Sequence, residues 1–564
     1  MEDRSVFVAG AAGEGIQTIG DVIARALLTH GYPVFATQDY ESRIRGGLSS
    51  VRLRVGDAPR NAPRPDADVL LALNAKAREH YEEFLRPDGL LLSEGADNAT
   101  SLRAGGTFVA VPFSDLAVKH GGSKLYANSV AAGALCAALG VPLAALQVVL
   151  GETFAKRGPD VAASNVRAAE AGFDAARTAL GSRAPRELPA RANRYAYTST
   201  HETIPLAAAA AGCRFIAAYP MSPSTGIITA FARQPELGVF AEQAEDEIAA
   251  INMALGASAA GARAMTATSG GGFALMIEAL SLAGMTETPL VVVLGQRPGP
   301  ATGLPTRTAQ EDLFFALYAG HGEAPRAVLA PSDPQDAIDK TVRAFALADR
   351  YQIPVILLTD QFLADSSFSL DAPALPAEIP GPHLADPEKI AGAYRRYALT
   401  DDGISPRLAL GQSRHLVSID SDEHDEDGHI TEDLASMRPA MVEKRLEKGR
   451  RLRAEMVVPS RNRTEDADLV LIGWGSTKGA IDEAVDRARA AGHKLGAVHF
   501  TELWPLPDIT FPEGPQYWVV EGNATGQLAR LLRAETGLDV EGRVGRYDGL
   551  PLDAAAILKE LPWA

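Results

Sequence analysis

Short apolar runs closed by glycine or polar turns alternate along this chain with stretches whose apolar positions recur every three or four residues. "SVFVAG" reads as a buried strand and "AAGEG" as a glycine turn. The helix that follows places Ile16, Ile19, Ile23 and Leu27 on one face, ahead of a second strand at "PVFAT". Further strands are expected at "DVLLAL", "GLLLSE" and "TFVAVP", with helices at roughly 129–139 and 163–180. Strands alternating with helices predict a mostly parallel, doubly wound α/β domain over residues 1–185, closed by the Pro/Arg linker "GSRAPRELPARANRY". Residues 195–370 repeat this α/β grammar, with strands at "RFIAAYP", "RAMTATS", "PLVVVLG" and "PVILLTD". Over 371–465 the periodicity fades into a Pro-rich segment, an acidic one and a charged helix, "VEKRLEKGRRLRAEM". Residues 466–564 are α/β again, with strands at "DLVLIGWGS", "KLGAVHF" and "YWVVEGN". Ligands of open α/β sheets collect at the carboxyl ends of strands, so the turns there are the places to search.

Composition narrows the choice of function. A chain of 564 residues is too long for one core, and about three or four domains are expected. A formal charge of −17 disfavours nucleic acid and anionic membrane as partners, because phosphates are repelled. No run reaches the roughly 18 apolar residues of a membrane span, and "MEDRSVFVAG" lacks a basic n-region, so a cytoplasmic protein is expected. Two cysteines, Cys136 and Cys213, sit in small-residue contexts and are too few for a zinc ribbon or a four-cysteine iron–sulfur cluster. Any redox metal then comes from another subunit.

Three segments carry candidate chemistry. The turn "GAAGEG" (Gly10, Gly13, Gly15) can admit a phosphate to a helix N-terminus, and Asp39 lies where a ribose-binding acid would sit. Its spacing is not that of the dinucleotide fingerprint, so a packing turn or another phosphate-bearing ligand ranks ahead of NAD or FAD. "TSGGGFALM" (Thr268–Met276) lacks the ending of a P-loop, and its consecutive glycines let a backbone approach something flat or bulky. "DSDEHDEDGH", with His424 and His429, has metal-ligating residue types but not the pattern of a calcium loop, and reads first as a solvated acidic loop. No GxSxG elbow or HExxH helix points to a hydrolase.

The block from Tyr219 to Asp360 resembles the α subunit of the 2-oxoacid:ferredoxin oxidoreductases, which are thiamine diphosphate enzymes. The resemblance rests on "YPMSPSTG", "EDEIAAINMALGASAAGARAMTATSGGGFALMIEAL", "AGMTETPLVVV", "QRPGPATGLPTRTAQEDL" and "YQIPVILLTDQ". Residues 1–185, with "QDYESRIRGG", are similar to the γ domain of that family. Residues 195–370 look like its pyrimidine-binding domain, and the tail from 466, with "VVEGN", looks like its transketolase-C-like domain. Within the family, "GPATGLPTRTAQEDL" and the "DEHDEDGH" loop look most like the 2-oxoglutarate enzyme.

That resemblance implies roles for named residues. Thiamine catalysis needs a shielded carboxyl on the aminopyrimidine; Glu247 best matches the family's glutamate, with Glu245 its competitor, while Glu245 and Asp246 otherwise suit the positive end of a helix dipole. Tyr219, Pro220, Ser269, Gly270 and Gly271 are implied cofactor contacts. Ser222 stands where the family usually has a threonine on the substrate's 2-oxo carboxylate, and Arg297 matches its carboxylate-binding arginine. Thr306 and Arg307 are candidates for a second, distal carboxylate. The GDG…N pattern that holds Mg²⁺ and the diphosphate does not occur here, and the family carries it on a β subunit together with [4Fe–4S] ligation. The implied assembly is (αβ)₂, with CoA as co-substrate, ferredoxin as electron acceptor, and CO₂ fixation as the reverse reaction. The rivals are a branched-chain or aryl 2-oxoacid enzyme and, from another class, a non-catalytic dinucleotide-binding scaffold.

Overall fold

The computed structural model describes residues 3–42, 47–95 and 106–563, so Arg43 and Arg45 of the "RIRGG" segment, which by residue type suit either a phosphate or a structural role, lie outside the described residues. The chain divides into two compact units. One is Met1–Thr198 with Ser366–Pro373 and Asp553–Ala555; the other is Ser199–Asp365 with Ala374–Leu552 and Ala556–Ala564.

The first unit holds a six-stranded sheet in the order Val34–Tyr40, Leu48–Val55, Arg4–Ala11, Ala67–Ala72, Leu85–Ser93, Thr107–Ala110. The last four strands run parallel, whereas Leu48–Val55 is antiparallel to both its neighbours. This strand was not expected, although its alternation "VRLRV" is the period-two signature of a strand. The helix Ile16–Thr29 buries Ile16, Ile19, Ile23 and Leu27 as its spacing predicts. At the preceding turn Glu14 Oε2 accepts hydrogen bonds from the Ala11 N–H (2.8 Å) and from Asn74 Nδ2 (2.6 Å). A carboxylate therefore sits in the glycine turn, and Asp39 is held by Arg52 at 2.7 Å. Both features oppose a phosphate-bearing dinucleotide at this turn.

Two helices of this unit, Ala127–Leu139 and Pro159–Leu180, touch through their backbones. A Cβ on Gly133 would overlap the Ala169 carbonyl, and one on Gly172 would overlap the Val130 carbonyl. Gly133→Ala must therefore push the helices apart. Overpacking of this kind costs about 1–3 kcal/mol, which thermal unfolding of the variant would register as a lowered midpoint.

The second unit contains two sheets. The larger runs Glu502–Trp504, Ala327–Leu329, Pro354–Asp360, Leu290–Gln296, Arg263–Ser269, Cys213–Ala218, Phe240–Gln243, parallel throughout except for its first strand. Its central strands are buried along their whole length, as expected where helices cover both faces. The smaller sheet has the order Ser460–Asn462, Leu495–Phe500, Leu469–Trp474, Gln516–Glu521, Gly542–Gly545.

The charged helix spans Met437–Glu455, and part of its charge is interior. Lys444 and Lys448 reach Glu287 at 2.6 and 2.8 Å, and all three side chains are buried. The acidic loop is solvated at Asp422 and His429 but departs from that reading at Glu423 and His424. Glu423 is paired with Arg438 and with Arg445, and His424 is fully buried with its ring 3.8 Å from that of Tyr397. Glu423 is drawn toward the helix because the buried Arg445 needs a counter-charge. Among the described residues no group of three or more His, Cys, Asp or Glu is placed to hold a metal ion, and no helix is long and apolar enough to cross a membrane.

Candidate active site

Phe240–Gln243, Cys213–Ala218, Arg263–Ser269 and Leu290–Gln296 are neighbours in the sheet and run parallel, so their carboxyl ends open on one edge. Each end delivers a segment singled out from the sequence.

After Phe240–Gln243 comes the acidic trio, and the fold separates its members. Glu245 is exposed, and Asp246 caps the helix Glu247–Ala259, its carboxylate accepting from the Ala249 N–H at 2.7 Å. Glu247 is 4% exposed. Its Oε1 is buried and has no hydrogen-bond partner among the described residues. Buried polar atoms are nearly always paired, so an orphan at the end of a parallel sheet marks a place for a ligand. The neighbouring Gly272 leaves room for this carboxyl, because a Cβ there would overlap both Glu247 Oε1 and Thr268 Oγ1.

The glycine turn leads from Arg263–Ser269 into the helix Gly270–Met285. Ser269 is buried at the junction, and its Oγ is a second orphan among the described residues. Gly270 is half-buried and Gly271 exposed.

The loop after Cys213–Ala218 carries Tyr219, Pro220 and Ser222, with Tyr219 and Ser222 exposed and Pro220 half-buried. His201 Nε2 lies 2.7 Å from the Pro223 carbonyl, and Pro223 packs on Gly295. Arg297, just past Leu290–Gln296, donates from Nη1 to the Ser222 carbonyl at 2.7 Å. The structure thus brings Ser222 and Arg297 together through a backbone contact. Burial lowers the affinity of the Arg297 guanidinium for its proton, against the opposing pull of Asp312.

Thr306 and Arg307 are half-buried and lie at a turn closed by the Arg307 N–H on the Leu304 carbonyl (3.1 Å). The Arg307 stem packs against Gly549 of the C-terminal lobe, and the Thr308 N–H donates to the Gly549 carbonyl at 3.1 Å. Sequence reasoning missed Asp312, whose carboxyl lies against Gly270. Burial and the adjacent Glu311 push it up to about 6, in spite of Arg297. In "TAQEDL" it looks like an ordinary polar residue, and only the fold returns it to the glycine turn.

Comparison with known proteins decides what kind of site this is. Residues 206–444 match the family model "Pyruvate flavodoxin/ferredoxin oxidoreductase, thiamine diP-bdg", and residues 5–175 match "Pyruvate ferredoxin/flavodoxin oxidoreductase". A 2-oxoacid:ferredoxin oxidoreductase α subunit of Aeropyrum pernix is 32% identical over 98% of this chain and 96% of its own length. The chain is an α subunit of the 2-oxoacid:ferredoxin oxidoreductase family. Among this α subunit's relatives is the 2-oxoglutarate oxidoreductase subunit KorA of Mycobacterium tuberculosis, 30% identical over 96% of this chain and 88% of its own. The solved 2-oxoglutarate:ferredoxin oxidoreductase of Magnetococcus marinus, with 2-oxoglutarate, coenzyme A and succinyl-CoA bound, superposes with a TM-score of 0.92 at 34% identity, covering 99% of each chain. The α subunit is thus part of a thiamine diphosphate-dependent oxidoreductase. The orphaned Glu247 Oε1 fits that cofactor, since a buried acceptor is what a protonated ring nitrogen requires.

Proposed function

We propose that the enzyme built on this α subunit oxidises 2-oxoglutarate with CoA to succinyl-CoA and CO₂, passing two electrons to ferredoxin, and that the same site can run toward CO₂ fixation. The observation that carries the assignment of the centre is the buried, unpartnered Glu247 Oε1 beside the side-chain-free Gly272. Bound thiamine diphosphate supplies a nucleophilic carbon and an electron sink for decarboxylation. Glu247 holds a proton against the aminopyrimidine, while Tyr219, Pro220, Ser269, Gly270 and Gly271 line the cofactor. Arg297, already aligned by the Ser222 carbonyl, has further N–H groups for the substrate's 1-carboxylate, and the Ser222 hydroxyl is assigned to the same group. Mutagenesis of Glu247 in the assembled enzyme tests this assignment.

The domain roles follow the same reading: a γ-like domain over 1–185, the pyrimidine-binding domain over 195–370, a connector over 371–465, and a transketolase-C-like domain over 466–564. Catalysis requires a β subunit that carries Mg²⁺, the diphosphate site and [4Fe–4S]. Exposed Ile248, Met253 and Leu275 on the two helices that begin at the site favour such a partner. The proposed assembly is a cytoplasmic (αβ)₂.

The preference for 2-oxoglutarate rests on Thr306 and Arg307 as clamp for the distal carboxylate. Arg307→Ala is expected to raise KM for 2-oxoglutarate by about 10- to 100-fold, the loss of one charged hydrogen-bonded contact. Activity on 2-oxoisovalerate should stay within about twofold. Parallel assays of the two substrates check this, and an unchanged preference would favour the branched-chain reading.

A further inference from the structure

The Asp312 carboxyl, beside the glycine turn, has no part in the proposed reaction so far. Asp312 precedes the short helix Leu313–Tyr318, but its side chain does not cap it. Its backbone N–H donates to Gln296 Oε1 at 3.0 Å, which ties it to the residue before Arg297. Gln296 is anchored in turn by its Nε2 on the Thr359 carbonyl at 3.2 Å. The carboxyl itself lies over Gly270, where a Cβ would stand 2.7 Å from Oδ2.

Neither Asp312 oxygen receives a hydrogen bond from the described residues, and no ion pair joins it to Arg297 within 4.0 Å. The adjacent Glu311 is occupied, accepting from the Gly299 N–H at 3.0 Å. Arg297 spends one N–H on the Ser222 carbonyl. Asp312 and Arg297 therefore act on one another electrostatically, and each keeps hydrogen-bonding capacity to spare.

Resting on the proposed function, we infer that Asp312 contacts the 2-oxoacid: in its neutral form it donates a hydrogen bond to the oxygen atoms presented to Arg297, and in its anionic form it repels them. The charged groups acting on Asp312 are Glu311, which favours the neutral form, and Arg297, which opposes it; burial favours the neutral form most. An incoming carboxylate adds to the first effect, so binding and proton uptake reinforce each other. Arg297 supplies attraction and Asp312 makes it depend on pH. The carboxylates of a 2-oxoacid are ionised throughout the range from pH 6 to 8, so the dependence belongs to the protein.

The test is calorimetric titration of 2-oxoglutarate into the assembled enzyme at pH 6 and pH 8, with KM and kcat measured in parallel. For the wild type, Kd and KM should weaken at least about tenfold from pH 6 to 8, with kcat changing less than about threefold. Asp312→Asn, which donates a hydrogen bond at every pH, should hold both constants within about twofold. Asp312→Ala should lose the pH dependence as well, which separates the proton from the shape of the side chain. A wild-type Kd that does not change with pH, or an Asp312→Asn variant that keeps the wild-type dependence, overturns the inference. Failure of the proposed function has a different signature: no oxidation of any 2-oxoacid by the wild-type enzyme at either pH.

Discussion

Glu247→Gln, assembled with its partner subunit, is expected to lose about 10²- to 10⁴-fold in 2-oxoacid oxidation, the range for removal of a positioned acid–base group. That loss corresponds to roughly 3–5 kcal/mol of barrier. Glutamine keeps the volume of a side chain that is 4% exposed, so packing should survive. The unfolding midpoint should also change little, because Oε1 has no protein partner to lose. Glu245→Gln is the control: Glu245 is exposed one residue before the capping Asp246, and its loss should cost less than about twofold. Dye reduction by the two variants, with circular dichroism melts on the same samples, checks both halves of the expectation. A Glu247→Gln enzyme with full activity would remove the carboxyl from the mechanism.

The largest effect on stability is expected at Glu287. This carboxylate is fully buried and receives Lys444 at 2.6 Å and Lys448 at 2.8 Å. Arg396 binds its backbone carbonyl at 2.7 Å and Gln352 Oε1 at 2.8 Å. Burial alone would raise the Glu287 pKa, but the three cations outweigh it and hold the carboxyl well below its usual range. Glu287→Ala leaves two buried lysines without a counter-charge, and breaking a buried pair in this way costs about 3–5 kcal/mol. Because the folded pKa is depressed, the contribution of Glu287 is fully present above its unfolded value near 4.5 and is lost as pH falls below it. Chemical denaturation at pH 7 and pH 3.5 should therefore show a wide gap between wild type and variant at the higher pH and a narrower one at the lower. Equal gaps at the two pH values would contradict the ion-pair account.

Much of the scaffold was legible because its signals are local. Buried parallel strands write themselves as apolar runs such as "PLVVVLG" and "PVILLTD", and the helix face of Ile16, Ile19, Ile23 and Leu27 follows from spacing alone. The strand Leu48–Val55 was less visible, since it carries Arg52 and Arg54 among its apolar residues. Arg54 is buried, and Asp3 and the Ala62 carbonyl meet its charge. The acidic loop misled for a related reason: Glu423 looks solvated until the helix Met437–Glu455 brings Arg438 and Arg445 to it.

At the candidate site, motif resemblance pointed to Glu247, Arg297 and the glycine turn, and the ends of four adjacent strands place those segments side by side. The part that stayed hidden depends on long-range return of the chain. Asp312 reaches Gly270 across more than forty residues, and Arg307 meets Gly549 across more than two hundred. No local pattern encodes either approach.

The most direct measurement is dye reduction by the coexpressed α and β subunits, with 2-oxoglutarate, CoA and thiamine diphosphate each withheld in turn. The account predicts viologen reduction that needs all three, falls to background in Glu247→Gln, and yields succinyl-CoA. Reduction that continues without thiamine diphosphate, or a purified chain that carries NAD or FAD and shows no 2-oxoacid dependence, would contradict it.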